Sequence, residues 1–485
     1  MTDIQNSLPA PFMARARDLF AEADLLTGEA LAPYLVETRG LHRGAAGAVF
    51  LPRGTDQVAA LMRLAVEFSV PVVAQGGNTG LVGGGVPFGG VVISLARMNR
   101  IRALDAPNAA LTLEAGVVLQ HAQEAAAAQG YLFPLSLASE GSCTIGGNIA
   151  TNAGGTAVLR YGNMRDLVLG LEAVLPDGRI FNGLSALRKD NAGYDLKHLF
   201  IGSEGTLGIV TAAVLKLFPA PKSRATAMVA ATSPEKIVTL FARLRAAAGD
   251  ALTTFEIMPR FGLEIVLKHA ANTRDPLESV APWYALVELS APDAQAGLGA
   301  LLETLLGAAL EEEEITDAVL AASEAQRADF WRLREQLSEC QRHEGGSIKH
   351  DVSVPISRVA DLIAEAGAAC LAAMPGGRLC VFGHIGDGNL HFNVSQPIGM
   401  DKAVFLANWH VFNAIVHEHV VARGGSIAAE HGVGLIKRDE LPRYKDPVAL
   451  DLMVTIKRAL DPRNLLNPGK VLDLGGELPQ FTPGR

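Results

Sequence analysis

The stretch from Val72 to Pro87, V-V-A-Q-G-G-N-T-G-L-V-G-G-G-V-P, constrains the fold more than any other part of the chain. Six of its sixteen residues are glycine. Val72 and Val73 lead into it, and Val91, Val92 and Ile93 leave it, so both flanks read as strands. A loop of this kind brings backbone N–H groups against a ligand with no side chains in the way. Such N–H groups form a nest for anions, above all phosphate or pyrophosphate. It is not a G-x-G-x-x-G fingerprint, because a strand and not a helix follows it. No Gly-Lys-Ser/Thr closes it, so it is not a Walker loop. The bland alternative is a glycine-rich turn. Two further glycine-dense stretches reduce its weight: S-E-G-S-C-T-I-G-G-N-I-A-T-N-A-G-G at 139 to 155 and G-S-E-G-T-L-G-I-V at 202 to 210. Three close backbone approaches fit an extended dinucleotide better than a lone phosphate.

At 485 residues, nearly half of them apolar, the chain predicts two or three globular domains. A net charge of -9 with no basic patch argues against a nucleic-acid partner. Cys143, Cys340, Cys370 and Cys380 are scattered, which fits buried thiols in a reducing compartment. No basic-then-apolar leader and no run of about 18 apolar residues is visible, so a soluble, cytoplasmic protein without a membrane span is expected.

Residues 12 to 35 predict a helical lead-in. Thr55 reads as the N-cap of a helix carrying Val58, Leu61, Met62, Leu64 and Ala65 on one face. Strand patterns follow at 111 to 116 and on both sides of a turn at Pro176-Asp177-Gly178, with an alanine-rich helix at 118 to 128. Pro219 and Pro221 mark a boundary. Beyond them Ala225 to Ala231 reads as a strand, and Ser233-Pro234 opens a helix. Strands at 252 to 258 and 283 to 290 and a helix at 293 to 310 predict an antiparallel sheet with helices on one face. Glu311 to Glu314 reads as a solvated helix end.

Residues 378 to 394, R-L-C-V-F-G-H-I-G-D-G-N-L-H-F-N-V, read as strand, glycine turn, strand. Alternation places His391 and Asn393 on one face, and Leu390, Phe392 and Val394 on the other. The hairpin returns His384 beside His391. Two histidines with a glutamate from elsewhere make an open metal site. From spacing alone, two hairpin histidines without a metal are an equally good reading.

Q-G-G-N-T-G-L-V-G-G, G-S-C-T-I-G-G-N-I-A-T-N-A-G-G, R-K-D-N-A-G-Y-D-L-K-H-L-F-I-G-S-E-G-T-L-G-I-V, G-H-I-G-D-G-N-L-H-F-N-V and A-E-H-G-V-G occur in this order. Together they resemble the FAD-linked D-2-hydroxyacid dehydrogenases of the vanillyl-alcohol oxidase superfamily. Within that family the chain looks most like the D-2-hydroxyglutarate dehydrogenases, with the flavin D-lactate dehydrogenases close behind. The resemblance runs from about residue 40 to L-L-N-P-G-K at 465 to 470.

The resemblance implies an α+β fold. A vanillyl-alcohol oxidase-type FAD-binding domain (41 to 220) would follow the lead-in (1 to 40). A cap domain on an antiparallel sheet (221 to 440) would carry substrate and metal, and a C-terminal helical segment (441 to 485) would return to the flavin domain. By the same resemblance Gln75, Gly76, Gly77, Asn78, Thr79 and Gly80 cradle the pyrophosphate. Ser142, Thr144, Gly146, Gly147 and Asn148 approach the isoalloxazine, Glu204, Gly208 and Ile209 lie near the adenosine half, and Asn467 approaches the flavin. Several relatives tether the flavin through a histidine in the first loop. Here Asn78 and Thr79 stand in that region with no histidine, so non-covalent FAD is expected.

His384, His391 and Glu430 match the family's metal ligands, with zinc the first choice and manganese or cobalt compatible with the donors. His431, beside Glu430, is the expected base, since a histidine titrates near working pH. Asn393 and His431 are expected on the substrate. Arg334 and Ser338, four apart in a helical run, would share a face, with Lys349 following in a strand. In dicarboxylate-specific relatives an arginine, a threonine and a lysine hold the substrate carboxylate; Ser338 keeps the hydroxyl and lacks the methyl group.

The implied activity is oxidation of D-2-hydroxyglutarate to 2-oxoglutarate by hydride transfer to flavin N5. Electrons would pass to electron-transfer flavoprotein or a quinone, because no nicotinamide motif is present. A homodimer is the assembly considered. The alternatives are a D-lactate or other D-2-hydroxyacid dehydrogenase, an oxidase on the same scaffold, or a silent subunit of a glycolate-oxidase-type complex.

Overall fold

The computed structural model describes residues 8–475, which separate into two units. The first takes the described residues up to Gly154, Asn163–Pro219, and those from His431 onward; the second takes Gly155–Gly162 and Ala220–Glu430. The second unit therefore closes at Glu430, ten residues before the boundary at 440 expected from the sequence.

In the first unit β1 (Leu25–Leu26), β2 (Ala48–Phe50), β3 (Val72–Gln75) and β4 (Val91–Ser94) form a sheet in the order β1-β2-β4-β3. β4 runs parallel to β2 and β3, and its four residues are all buried. Short β-branched runs suit strands covered on both faces. The helix Thr55–Phe68 connects β2 to β3 and buries the five residues its spacing singled out. Gly54, not Thr55, occupies its cap position; the Thr55 hydroxyl instead donates to Glu172 Oε1 at 2.6 Å. The lead-in is less helical than the 12-to-35 pattern suggests. A helix spans Ala10–Leu19, and β1 and two 3-10 turns follow, because Gly28 takes a left-handed φ of 64° and Pro33 cannot continue a regular helix.

A second, antiparallel sheet contains β5 (Ile101–Asp105), β6 (Ala110–Glu114), β8 (Val168–Val174), β9 (Ile180–Gly183) and β10 (Ile209–Lys216), in the order β5-β6-β10-β8-β9. The short β7 (Tyr131–Leu132) pairs with β11 (Phe218–Pro219). After the helix Pro447–Leu460, the chain returns to the edge of β3. There Val72 N donates to Leu465 O at 2.8 Å and Asn467 N donates to Val72 O at 2.7 Å.

The second unit is built on seven antiparallel strands: β12 (Ser223–Ala231), β13 (Leu252–Pro259), β14 (Trp283–Ala291), β15 (Asp317–Leu320), β16 (Ser347–Ser353), β17 (Arg378–His384) and β18 (Asn389–Ser395). Their order is β15-β12-β14-β13-β17-β18-β16. Ser233 accepts from Lys236 N and starts the helix Pro234–Ala248, as its sequence predicts. The expectation of helices on one face is corrected. Phe255, Ile257, Val287 and Phe392 pack with the helices Pro234–Ala248, Leu298–Glu311, Val359–Ala373 and Trp409–Val421. On the opposite face Met258, Leu286 and Phe382 pack with Leu263 and Val266 of Arg260–His269 and with Phe330 and Leu333 of Glu324–Glu335. The central strands are apolar at successive positions, so both faces need cover. Among the described residues, no helix is long and apolar enough to cross a membrane.

The second face also carries a polar patch. Strand pairing sets Glu256 opposite His384, His391 opposite both Phe382 and Asp351, and Lys349 opposite Asn393. Cross-strand pairs of this kind, distant in sequence, assemble the site on the sheet.

Candidate active site

A cavity in the first unit is lined by the loop after β3. Gln75, Gly76, Gly77, Asn78, Thr79 and Gly80 border it, as do Thr144, Gly146, Gly147, Asn148, Glu204, Gly208 and Ile209. The glycines there have steric reasons. A Cβ on Gly76 would sit 2.2 Å from Thr144 Oγ1, and one on Gly77 2.1 Å from Ser142 O. The two segments are thus packed backbone to backbone. Thr144 Oγ1 is buried and has no hydrogen-bond partner among the described residues. A buried, unpaired hydroxyl beside a glycine-rich loop fits a polar ligand such as a flavin dinucleotide.

Three non-glycine residues with left-handed φ hold this region: Asn78 (52°), Glu204 (52°) and Asn467 (46°). Such conformations persist where surrounding contacts over-determine them. Asn78 Nδ2 donates to Val36 O at 2.8 Å. Gln75 Nε2 donates to Tyr34 O and Gly85 O at 2.7 and 2.6 Å. Glu204 accepts from Val433 N at 2.7 Å and Gly434 N at 2.9 Å. Burial pushes its carboxyl pKa up, against the pull of those two N–H donors. Asn467 does not line the cavity. It donates to Gly84 O and Glu204 O at 3.1 and 2.8 Å and so braces the loop from behind. Ser142 also stands off the cavity wall: it is exposed, and its hydroxyl donates to Ser139 O.

In the second unit His384, His391 and Glu430 bring one donor atom each within 4.8 Å of one another. His384 Nε2 lies 3.9 Å from Glu430 Oε1, and His391 Nε2 lies 4.0 Å from Glu430 Oε2. Those separations approach the span of two ligands each about 2 Å from a common ion. The imidazole rings are 5.8 Å apart. Glu256 Oε1 accepts from His384 Nδ1 at 2.6 Å, which leaves Nε2 as the ring's free donor atom. Asp351 Oδ2 accepts from Glu430 N at 2.9 Å, and Asn389 Nδ2 donates to Asp351 Oδ1 at 3.0 Å.

Burial lowers the His384 pKa, but the Glu256 carboxylate more than offsets it and holds the imidazole at about 9. Burial, reinforced by Asp351 and Asp387, pushes Glu430 up to about 7. Several carboxylates crowded around two imidazoles form a donor set that a divalent cation fits.

The expected substrate residues divide. Arg334 is buried; its Nε donates to Glu256 Oε2 at 2.7 Å, and its guanidinium carbon lies 4.8 Å from the Phe382 ring centroid. Ser338 does not share its face. The helix ends at Glu335 and a separate turn, Leu337–Cys340, exposes Ser338. Only the Ser338 carbonyl joins the group, accepting from Lys349 Nζ at 3.4 Å. Asn393 is buried, donates to Gln341 Oε1 at 3.0 Å, and leaves its Oδ1 unpaired among the described residues. His431 lines the cavity of the first unit and follows Glu430 directly in the chain.

Sequence reading missed Glu256, Asp351 and Gln341. For Glu256 the available signal was a carboxylate inside a strand otherwise written in apolar and β-branched letters, L-T-T-F-E-I-M-P; Asp351 lies in the more polar S-I-K-H-D-V-S and Gln341 at the start of a 3-10 turn, where no such contrast marks them.

The model for the C-terminal domain of FAD linked oxidases matches residues 220–471, and the FAD binding domain model matches residues 46–183. The D-2-hydroxyglutarate dehydrogenase of Xanthomonas citri pv. viticola is 40% identical over 429 residues, covering 88% of this chain and 89% of the relative. The mitochondrial D-2-hydroxyglutarate dehydrogenase of Bos taurus is 39% identical over 449 residues, covering 92% of this chain and 80% of the relative. Among solved structures, p-cresol methylhydroxylase with substrate bound superposes with a TM-score of 0.75 at 18% identity, over 97% of this chain and 99% of that one, which shows the shared fold. The chain belongs to the FAD-linked oxidase family and, within it, to the FAD-dependent D-2-hydroxyacid dehydrogenases.

Proposed function

We propose that this dehydrogenase oxidises D-2-hydroxyglutarate to 2-oxoglutarate, with FAD held non-covalently and a divalent metal, zinc first, held by His384, His391 and Glu430. The observation that carries the metal reading is the convergence of those three donor atoms within 4.8 Å. The names of the two relatives support the choice of acid.

When bound, FAD supplies a hydride acceptor at N5, and the metal supplies a Lewis acid that lowers the pKa of a hydroxyl. The protein supplies the rest. The glycine loop and Thr144 position the dinucleotide, with Asn467 bracing the loop at Gly84 and Glu204 holding the backbone of Val433 and Gly434. Glu256 and Asp351 orient the metal ligands. His431 takes the proton from the substrate hydroxyl. Arg334 is anchored through Nε, and its two terminal nitrogens have no hydrogen bond among the described residues. A planar guanidinium held in this way receives a carboxylate by two parallel bonds. Lys349 adds a point charge, Asn393 offers its unpaired Oδ1 to a donor, and Ser338 contributes through its carbonyl. Electrons then leave to electron-transfer flavoprotein or a quinone.

Dye-coupled turnover against a panel of D- and L-2-hydroxy acids tests the assignment. D-2-hydroxyglutarate should lead, chelation should abolish turnover, and acid precipitation should release yellow flavin into the supernatant. Preference for an L-acid, full activity in a metal-free preparation, or flavin retained on the pellet would each refute the corresponding part.

A further inference from the structure

Glu256 sits in the middle of β13 with no solvent exposure, between the core residues Phe255 and Ile257. Burying a carboxylate there is costly unless both oxygens are engaged. They are: Oε1 accepts from His384 Nδ1 at 2.6 Å and Oε2 from Arg334 Nε at 2.7 Å. We propose that Glu256 is the positioning residue of this centre, a single carboxylate that aims the metal ligand His384 and the substrate-facing Arg334 together. The inference rests on the metal reading given above.

The geometry explains why one residue does both tasks. An imidazole can rotate about its Cβ–Cγ bond and present either nitrogen. The bond to Glu256 selects the tautomer with the proton on Nδ1 and points Nε2 toward Glu430. Through its other oxygen the same carboxylate holds Arg334 by Nε and fixes the plane of its guanidinium. Glu288 provides an internal comparison. It is also a buried glutamate, on the neighbouring β14, and it accepts from Thr226 Oγ1, Arg327 Nε and Trp331 Nε1. No hydrogen bond or ion pair joins it to His384, His391 or Glu430 among the described residues. A purely structural role for buried glutamates in this sheet would make the two residues equivalent.

Metal affinity tells the two roles apart. Purified flavoprotein, stripped of metal, is dialysed to equilibrium against buffered zinc, and bound zinc and FAD are both quantified. The variants are Glu256→Gln, the paired change Glu256→Met with Arg334→Met, and Glu288→Gln. The paired change removes both charges together and keeps the volume, so it guards against Glu256→Gln failing to fold. Zinc binding is expected to weaken roughly 10- to 100-fold in both Glu256 variants, the usual cost of losing a partner behind a metal ligand. FAD content should be unchanged, and Glu288→Gln should stay within about twofold of the parent. Equal zinc affinity in parent and Glu256 variants would overturn the proposal while leaving the metal centre standing. So would a loss in Glu288→Gln as large as in Glu256→Gln. A parent protein that takes up no zinc would overturn both.

Discussion

Gly77→Ala is the sharpest probe of the proposed flavin cavity. A Cβ there would lie 2.1 Å from Ser142 O, 3.0 Å from Ser142 C and 3.1 Å from Cys143 Cα. All three are backbone atoms, which cannot swing aside as a side chain can. Restoring a contact of about 3.5 Å requires the loop and the 142-to-144 segment to separate by more than about 1 Å. Overpacking of this kind costs about 1–3 kcal/mol. Since Gly77 and Thr144 both line the cavity, the separation falls on the ligand-bound state. FAD dissociation constants should therefore rise roughly 5- to 150-fold. Gly54, which does not line the cavity, has no left-handed φ and nothing within 4 Å of the place a methyl group would take, so Gly54→Ala should bind FAD like the parent. The assay is titration of flavin-free protein with FAD, followed by flavin fluorescence. Near-parental affinity in Gly77→Ala, or an equal loss in Gly54→Ala, would refute the steric reasoning.

Three further outcomes are expected. Lys457 is buried, with Nζ donating to Asp461 Oδ2, Thr206 O and Leu466 O at 2.6, 2.9 and 2.8 Å, so Lys457→Met should lower unfolding stability by about 3–5 kcal/mol; an unchanged urea midpoint would contradict this. Burial, together with the Arg438 charge and against the pull of Glu204, brings the Lys470 pKa down to about 7, well below the unfolded value of about 10.4. Between those values the unfolded chain binds the extra proton, so this residue's cost to stability is full below about pH 7 and is relieved as pH rises toward about 10. Lys470→Met should flatten that rise, and parallel pH profiles for parent and variant would refute it. Arg334→Ala should cut kcat/KM for D-2-hydroxyglutarate by roughly 2–5 kcal/mol of transition-state stabilisation and for D-lactate by at least tenfold less; proportional losses would end the claim that Arg334 selects a second carboxylate.

The parts of the molecule legible in the sequence are those governed by local rules. The glycine loop after β3, the helix Thr55–Phe68, the Ser233 cap and the alternation of His391 and Asn393 in β18 all follow from neighbouring letters. What was hidden depends on strand order. Glu256 meets His384, 128 residues away, only because β13 lies beside β17. Asp351 reaches Glu430 because β16 closes the sheet edge beside β18. The helix Arg260–His269 went unread between two strands, and with it the cover on the second face of the sheet. Arg334 and Ser338 have helical spacing, but Gln336 ends the regular turn between them, and one side chain is buried while the other faces solvent. Periodicity describes a helix; it does not reveal where that helix stops for tertiary reasons.

Anaerobic reduction of the enzyme's own flavin needs no electron acceptor and reads hydride transfer from the substrate alone. Metal-replete protein is mixed with D-2-hydroxyglutarate or its L-enantiomer, and the yellow absorbance is followed in the stopped flow. Rapid bleaching by the D-acid alone is expected, and loss of that bleaching in His384→Ala with FAD still bound. Bleaching by both enantiomers at equal rates, no bleaching by any D-2-hydroxy acid, or full-rate bleaching in His384→Ala would contradict it.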